Sequence, residues 1–424
     1  MLPLTVCSLY ASLKRGIRND YFSLGRTRFK TKSLMMRHKN FILLALFFTK
    51  VILGFHLGGN WNWERGGSIK SFLGARNLNQ INIYERNRVF FNEERFRFQG
   101  ALTHPHFRLE FADEAFLFVE RDNPSPLPRQ DFTPSSAWKA KWNLLDKKDV
   151  DLVGRLDRFF AQFLFGDFQL VLGKQVIATG VGQIFTAVSQ VQRYMFDFID
   201  QEFPKTEDAV TLIWTGPVQI EARFLPKTPE QKEQNFHVRI KGNKSNFDLA
   251  ITSGRSDDKF YLGLETARNV GDGLIRNELV GYDARGKKYL QGLVGFDYVF
   301  SPKWNGKLEF FYNGFGRPGD YVFETFQHRS APFRGQWYGA VLISWEIHPL
   351  LKSHWLSVVN LQDPSTLTHL YFNYSLTNNL DILVGQFINF GNSKSEFGGR
   401  VLVAPPNFEL GAPNISYAAI RCYY

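Results

Sequence analysis

Seven histidines follow residue 58: His104, His106, His237, His328, His348, His354 and His369. Nucleophilic catalysis needs such a base beside a hydroxyl or thiol, with a third group to orient it. None of the seven sits in a motif with Ser or Asp that would build that arrangement, so the sequence argues against an enzyme. His104-Pro-His106 offers two imidazoles to a metal, although a polar turn accounts for the same residues more simply. Gly180-Val-Gly182 lacks the third glycine of a dinucleotide site and the Gly-Lys-Ser/Thr of a P-loop, and no βαβ pattern surrounds it. The two cysteines, Cys7 and Cys422, form no CxxC or Cys/His cluster, so neither a structural metal nor a cofactor is expected. Charge is what remains. Glu221, Arg223, His237, Arg239 and Lys241 fall at alternate positions of two neighbouring segments, while Arg193, Asp197, Asp200 and Glu202 share one long polar stretch. Opposed acids and bases across a narrow aqueous path set up a transverse field that selects polar solutes over apolar ones. Solvation of a wall, or pairing with one another, is the plainer role for any single member.

The segments that carry these charges have a period of two from about residue 68 onward, the mark of strands with two unlike faces. Val218, Ile220, Ala222 and Phe224 alternate with Gln219, Glu221 and Arg223, and Phe236, Val238 and Ile240 alternate with His237, Arg239 and Lys241. Trp304, Leu308, Phe310 and Tyr312 share one phase, as do Leu290, Val294, Phe296, Tyr298 and Phe300, then Trp337, Val341, Ile343, Trp345 and Ile347. Tight connections at Gly166-Asp167, Gly216-Pro217, Asn243-Lys244-Ser245, Ser301-Pro302-Lys303 and Thr377-Asn378-Asn379 have turn-forming chemistry. Longer polar segments near 119–150, 178–207, 226–234, 315–336 and 391–413 lie between them. Short and long connections therefore alternate, as they do in an up-and-down transmembrane barrel whose turns face one side and loops the other. The expected fold is all-β: a transmembrane antiparallel up-and-down β-barrel of about 18 strands, with 16 as the alternative because 255–287 reads ambiguously.

Composition agrees. Aromatics make up 16% of the 424 residues and charged residues 21%, yet the longest apolar run, Phe41 to Phe55, is broken by Lys50. No segment is long and apolar enough for a helical span. The net charge of +11 resides in the leader: residues 1–54 hold ten of the 51 bases and one of the 40 acids, which leaves a surplus of only two bases beyond them. A nucleic-acid groove loses its compositional support, and no nucleic-acid partner is expected. Met35-Met36-Arg37-His38-Lys39-Asn40 followed by Phe41–Phe48 has the form of a basic n-region and apolar h-region. The expected division is 1–34 as a mis-started extension, 35–58 as a signal peptide and 59–424 as the barrel. Cleavage there would remove Cys7 and leave one thiol.

Two segments carry a family resemblance. Ile415-Ser-Tyr-Ala-Ala-Ile-Arg-Cys-Tyr-Tyr424 alternates and ends in an aromatic residue, which resembles the terminal signal by which outer-membrane barrels are recognised for insertion. Phe168-Gln-Leu-Val-Leu-Gly-Lys-Gln175 followed by Gly180-Val-Gly182-Gln-Ile-Phe185 is similar to the strand and glycine-rich loop of large porins and uncharacterised porin-like proteins. The resemblance implies a bacterial outer-membrane channel for passive diffusion of small polar solutes, with residues 178–207 folding back to narrow the lumen. Arg223, Arg239, Lys241 and Glu221 would then line the pore, and Arg193, Asp197, Asp200 and Glu202 would form its constriction. Partners implied are outer-membrane lipid, the solute, the barrel-insertion machinery acting on the strand that ends at Tyr424, and two further copies in a homotrimer. A lumen phase that leans basic suggests a weak preference for anions. The alternatives are an adhesin or ligand-binding barrel using loops 119–150 and 315–336 and, behind it, an outer-membrane hydrolase. Nothing in the sequence names the solute or the pore size.

Overall fold

The computed structural model describes residues 60–77, 88–120, 137, 140–147, 149–189, 202, 206–228, 234–256, 258–317, 333–392, 395–398, 400–403, 408–411 and 414–424. The extension at 1–34 and the signal at 35–58 lie outside the described residues. The strands in chain order are β1 (Asn62–Asn77), β2 (Arg88–His104), β3 (Phe107–Glu120), β4 (Lys141–Lys147), β5 (Val150–Phe165), β6 (Phe168–Val176), β7 (Thr206–Thr215), β8 (Gln219–Leu225), β9 (Asn235–Lys244), β10 (Phe247–Ser256) and β11 (Lys259–Val270). They continue as β12 (Gly273–Ala284), β13 (Lys287–Ser301), β14 (Trp304–Asn313), β15 (Trp337–His348), β16 (Leu351–Asn360), β17 (Ser365–Thr377), β18 (Leu380–Phe390), β19 (Arg400–Val403), β20 (Phe408–Gly411) and β21 (Asn414–Tyr423).

Each wall strand pairs antiparallel with its neighbour, and β21 bonds to both β18 and β1, so the sheet closes and no edge is left bare. The wall has 18 strands: β4 is an accessory strand beside β5, and β19–β20 is a separate hairpin. The expected antiparallel barrel is present, and 18 rather than 16 is the count.

The stretch that read ambiguously, 255–287, holds two regular strands, β11 and β12, in uninterrupted register from Lys259↔Ala284 to Val270↔Gly273. Among the described residues, three adopt left-handed backbone without being glycine. Ser245 and Asn246 (φ 52° and 62°) make the β9–β10 turn, and Arg285 (φ 53°) with Gly286 (φ 83°) makes the β12–β13 turn. Two consecutive positive-φ residues match the right-handed twist of the flanking strands. The β9–β10 turn lies just beyond the expected Asn243-Lys244-Ser245, because Asn243 is still in the ladder and donates to Asp248 at 2.6 Å. The first strand also starts earlier than residue 68. Gly66 and Gly67 have no side chains to mark a face, which hides the alternation over the first turn of β1.

The burial pattern is the inverse of a soluble protein's. Leu262, Val294 and Phe260 are 61%, 55% and 54% exposed on the outer face, whereas Glu265, Gln291 and Glu309 inside are at 1%, 0% and 0%. An apolar exterior around a polar interior suits a wall with lipid outside and water or packed polar groups inside. Apolar clusters nevertheless lie within the ring, and one of them involves the segment after β6. Ile184, Phe185, Ala187 and Val188 pack with Tyr261, Val280, Tyr282, Leu293, Phe311, Phe333, Tyr338 and Phe397.

Candidate functional site

The segment after β6 does not stay at the rim. Residues 180–188 lie inside the ring against β12–β15, held by two buried glutamates. Glu278 Oε1 accepts the backbone N–H groups of Val181 (2.6 Å) and Gly182 (2.7 Å), and its Oε2 accepts those of Ala187 (2.6 Å) and Val188 (2.9 Å). Glu309 accepts from Gln183 (2.7 Å), Ile184 (3.0 Å) and Phe185 (2.8 Å). A loop buried away from water must have its amides satisfied. Here seven amides meet two carboxylates on the opposite strands. The ring of Phe185 stacks on Phe311 (5.1 Å, 13°) and meets Phe333 edge-on at 5.2 Å, which fixes the apolar side of the same loop.

The two glycines of the loop have distinct reasons. Gly180 has φ +94°, and a Cβ there would lie 2.6 Å from Glu278 Oε1. A Cβ on Gly182 would lie 1.9 Å from the Phe185 carbonyl oxygen. The backbone amides therefore do cradle an anion, but the anion is the protein's own carboxylate rather than a phosphate.

Of the expected constriction residues, Arg193, Asp197 and Asp200 lie outside the described residues. Glu202 is described, and it accepts from Lys70 Nζ and from Tyr423 OH (3.0 Å) on β1 and β21. Around the ring, β12 and β21 are seven strands apart. The connection between β6 and β7 is thus anchored on two well-separated parts of the wall, and sequence reading named neither anchor.

On the wall, Glu221, Arg223 and Arg239 come together. Arg239 forms a two-pronged pair with Glu265 (Nε 3.0 Å, Nη2 2.8 Å) and approaches Glu221 Oε1 at 3.7 Å. Arg223 donates to Glu221, Gln219 Nε2 donates to the same carboxylate at 2.8 Å, and Thr252 Oγ1 donates to Glu265 at 2.9 Å. Lys241 shares the inner face of β9 with Arg239, opposite Gln219 and Ala250, and forms no ion pair among the described residues. Glu265 was missed because it lies in the stretch whose strands were ambiguous.

A second charged network occupies β2, β3 and β5. Arg97 donates to Glu114 and to Asp157 (2.8 Å), Arg155 Nε donates to Glu114 at 2.7 Å, and Arg158 reaches Glu110 at 3.1 Å. The signal for it was present as alternating Glu93, Arg95 and Arg97, and again as Arg108 and Glu110. His354 and His369 sit on a third part of the wall, away from His237, which lies on β9 beside Tyr261. His354 stacks on Tyr371 (4.7 Å), and His369 stacks on Phe387 (3.7 Å) with its Nε2 2.9 Å from Tyr417 OH. His104 and His106 belong to the short β2–β3 turn, where the His106 N–H donates to His104 Nδ1 at 3.4 Å.

At the long-loop rim Glu396 ties three elements together. It accepts the Arg334 N–H (2.8 Å), Tyr338 OH (2.6 Å) and Asn360 Nδ2 (2.7 Å), and its own N–H donates to Asp363 at 2.7 Å. Burial pushes its carboxyl above the ordinary range, opposed by those hydrogen bonds.

No family model and no curated protein matches the chain. Solved structures do. Pseudomonas aeruginosa OpdK, solved with vanillate, is similar at TM-score 0.52 and 10% identity, covering 86% of this chain and 98% of that one. Acinetobacter baumannii OccAB2 gives TM-score 0.52 at 10% identity (86% and 98% covered), and OccAB3 gives 0.50 at 10% (86% and 99%). At such identities the likeness concerns the fold, and it coincides with the strand count and closure found here. The chain has the fold of a porin-like β-barrel.

Proposed function

We propose that the chain is a bacterial outer-membrane channel for passive diffusion of small polar solutes. The observation that carries this reading is the lumen itself: a charged, hydrogen-bonded wall with a loop anchored across it, inside a belt of exposed apolar side chains. Such a belt matches hydrocarbon, and a charged interior narrowed by a loop selects by size and polarity. Because Arg223, Arg239, Arg97 and Arg155 are paired with acids, most of the wall charge is neutralised locally. Lys241 is the wall cation best placed to act on a passing ion, and it favours a weak anion preference.

The short turns then face the periplasm and the long loops the exterior. Insertion would proceed through the closing strand Asn414–Tyr423, after removal of a leader ending near residue 58. Purified protein in a planar bilayer tests the function directly. Stepwise conductance with a panel of salts and sugars is the expected result, and electrical silence at high protein concentration would replace the channel with an adhesin or ligand-binding barrel.

A further inference from the structure

Three long connections meet inside the ring on one side chain. Tyr338, the second residue of β15, is wholly buried, and its ring centroid lies 4.7 Å from that of Phe333 and 6.1 Å from that of Phe185. Phe185 belongs to the loop after β6 and Phe333 to the end of the β14–β15 connection, while Phe397, 6.5 Å from Tyr338, belongs to the connection after β18. The other end of Tyr338 is polar. Its hydroxyl donates to Glu396 Oε2 at 2.6 Å and accepts the Gly335 N–H. Tyr338 therefore touches the inserted loop with its ring and the rim carboxylate with its oxygen.

The rim end is tied to the same cluster a second time. Arg334, next to Phe333 in the chain, gives its N–H to Glu396 Oε1 at 2.8 Å, and Asn360 Nδ2 donates to Oε2 at 2.7 Å. From the wall, Asn313 Nδ2 donates to the carbonyls of Phe333 (2.9 Å) and Gly335 (3.1 Å). The segment Phe333–Gly335 is thus gripped between β14 and Glu396, with the Phe333 ring edge-on to Phe185.

A close-packed cluster moves between discrete arrangements rather than deforming by degrees. Removing the Glu396 carboxylate takes an acceptor from the Arg334 N–H and from the Tyr338 hydroxyl and Asn360 amide, the last two wholly buried. Buried donors that lose an acceptor draw their segment toward water. That movement carries Phe333 off Phe185 and removes the apolar support of residues 180–188, leaving the wall glutamates to hold the loop alone. We infer that Glu396 is a positioning residue for the constriction, acting through Tyr338 and Phe333 on Phe185. The inference rests on the channel reading above for the role of the loop, while the linkage itself can be followed without current.

Among the described residues, Glu396 is faced by Arg334, Tyr338, Asn360 and the Asp363 carboxylate, which accepts the Glu396 N–H at 2.7 Å. Burial holds the Glu396 carboxyl above the ordinary range, so rising pH ionises it and loosens the linkage. Titration of Glu278 or Glu309, with Arg276 beside Glu309, has the opposite sign, because acid would take away the acceptors of the loop amides.

Amide exchange in detergent and single-channel recording in planar bilayers, both on the full chain, test the inference. Glu396→Ala and Tyr338→Phe, the second of which keeps the buried ring, are each expected to raise unitary conductance. Each should also speed exchange of the Ile184, Phe185, Ala187 and Val188 amides by about fivefold or more, the lower end of ordinary coupling between sites. In the wild type, exchange of these amides corrected for intrinsic rates should quicken as pH rises. Glu396→Gln, which keeps an oxygen for the Tyr338 hydroxyl, is expected to restore slow exchange and to lose that pH response. Faster exchange confined to Phe397 and Gly398, with loop and conductance unchanged, overturns the inference and leaves Glu396 a brace of the rim. A wild-type loop that loosens in acid overturns it too, because the wall glutamates would then be the titrating groups. Absence of current from every variant removes the channel reading, and exchange of the loop amides still decides the linkage.

Discussion

Arg276 and Glu309 form an ion pair inside the barrel wall at 2.7 Å, with side chains 2% and 0% exposed, and the pair holds the inserted loop from both sides. Glu309 takes the amides of Gln183, Ile184 and Phe185, while the same guanidinium nitrogen of Arg276 donates to the Val181 carbonyl at 2.6 Å. Neutralising Glu309 leaves the buried Arg276 with Asp297 as its remaining acid partner, so the cost should fall below the about 3–5 kcal/mol typical of a buried charge left wholly unmatched. Glu309→Gln keeps one acceptor oxygen but places an amide NH2 against backbone N–H donors. The loop should detach. Single-channel recordings are expected to show larger conductance and more frequent substates, and thermal unfolding in detergent should begin at lower temperature. Unchanged conductance with lowered stability would restrict Glu309 to a structural role.

Lys241 offers a cleaner probe of ion preference than Arg239. Removing Arg239 would strand the buried Glu265, so any change in selectivity would be mixed with lost stability. Lys241 has no such partner among the described residues, and Lys241→Gln should alter stability by no more than about 0.5 kcal/mol. The reversal potential under a salt gradient is expected to shift toward cations. An identical potential in wild type and variant would remove Lys241 from the selectivity argument.

How much of this was legible depends on range. Alternation in Phe236–Lys241 or Trp304–Tyr312 is local, so strand, face and lumen phase could all be read. The region 255–287 resisted because the β10–β11 and β12–β13 links are both as short as the turns at the opposite rim, which erases the long–short rhythm. The loop glycines were visible, but their partners were not. Glu278 and Glu309 contact it across 97 and 126 residues of sequence, from strands whose acids look no different from any other lumen charge. Glu202 stands out as a charge in that connection, while its partners Lys70 and Tyr423 come from the two strands that close the ring.

Gly182 tests whether loop shape, rather than loop charge, sets the constriction. A Cβ 1.9 Å from the Phe185 carbonyl oxygen cannot be accommodated without moving backbone, so Gly182→Ala should open the turn at about 1–3 kcal/mol. Conductance should change in the same direction as for Glu309→Gln. Gly281→Ala on β12, where an added Cβ meets nothing within 4 Å, is the matched control and should leave the channel unaltered.

Glu396 gives the rim a pH dependence whose sign follows from its raised carboxyl. The folded state holds the proton more tightly than the unfolded chain does. The stabilisation linked to that proton is complete below the ordinary carboxylate range and fades as pH rises through the higher folded value. The tie among Arg334, Tyr338, Asn360 and Asp363 should therefore be firmer in mild acid than at neutral pH. Amide exchange at Phe397 and Gly398, corrected for intrinsic rates, is expected to be better protected in acid. Glu396→Gln, permanently neutral, should flatten that dependence while keeping an acceptor for the Tyr338 hydroxyl. Protection that rises with pH in the wild type would contradict the assignment, because it would mean that the ionised carboxylate is the form the rim holds.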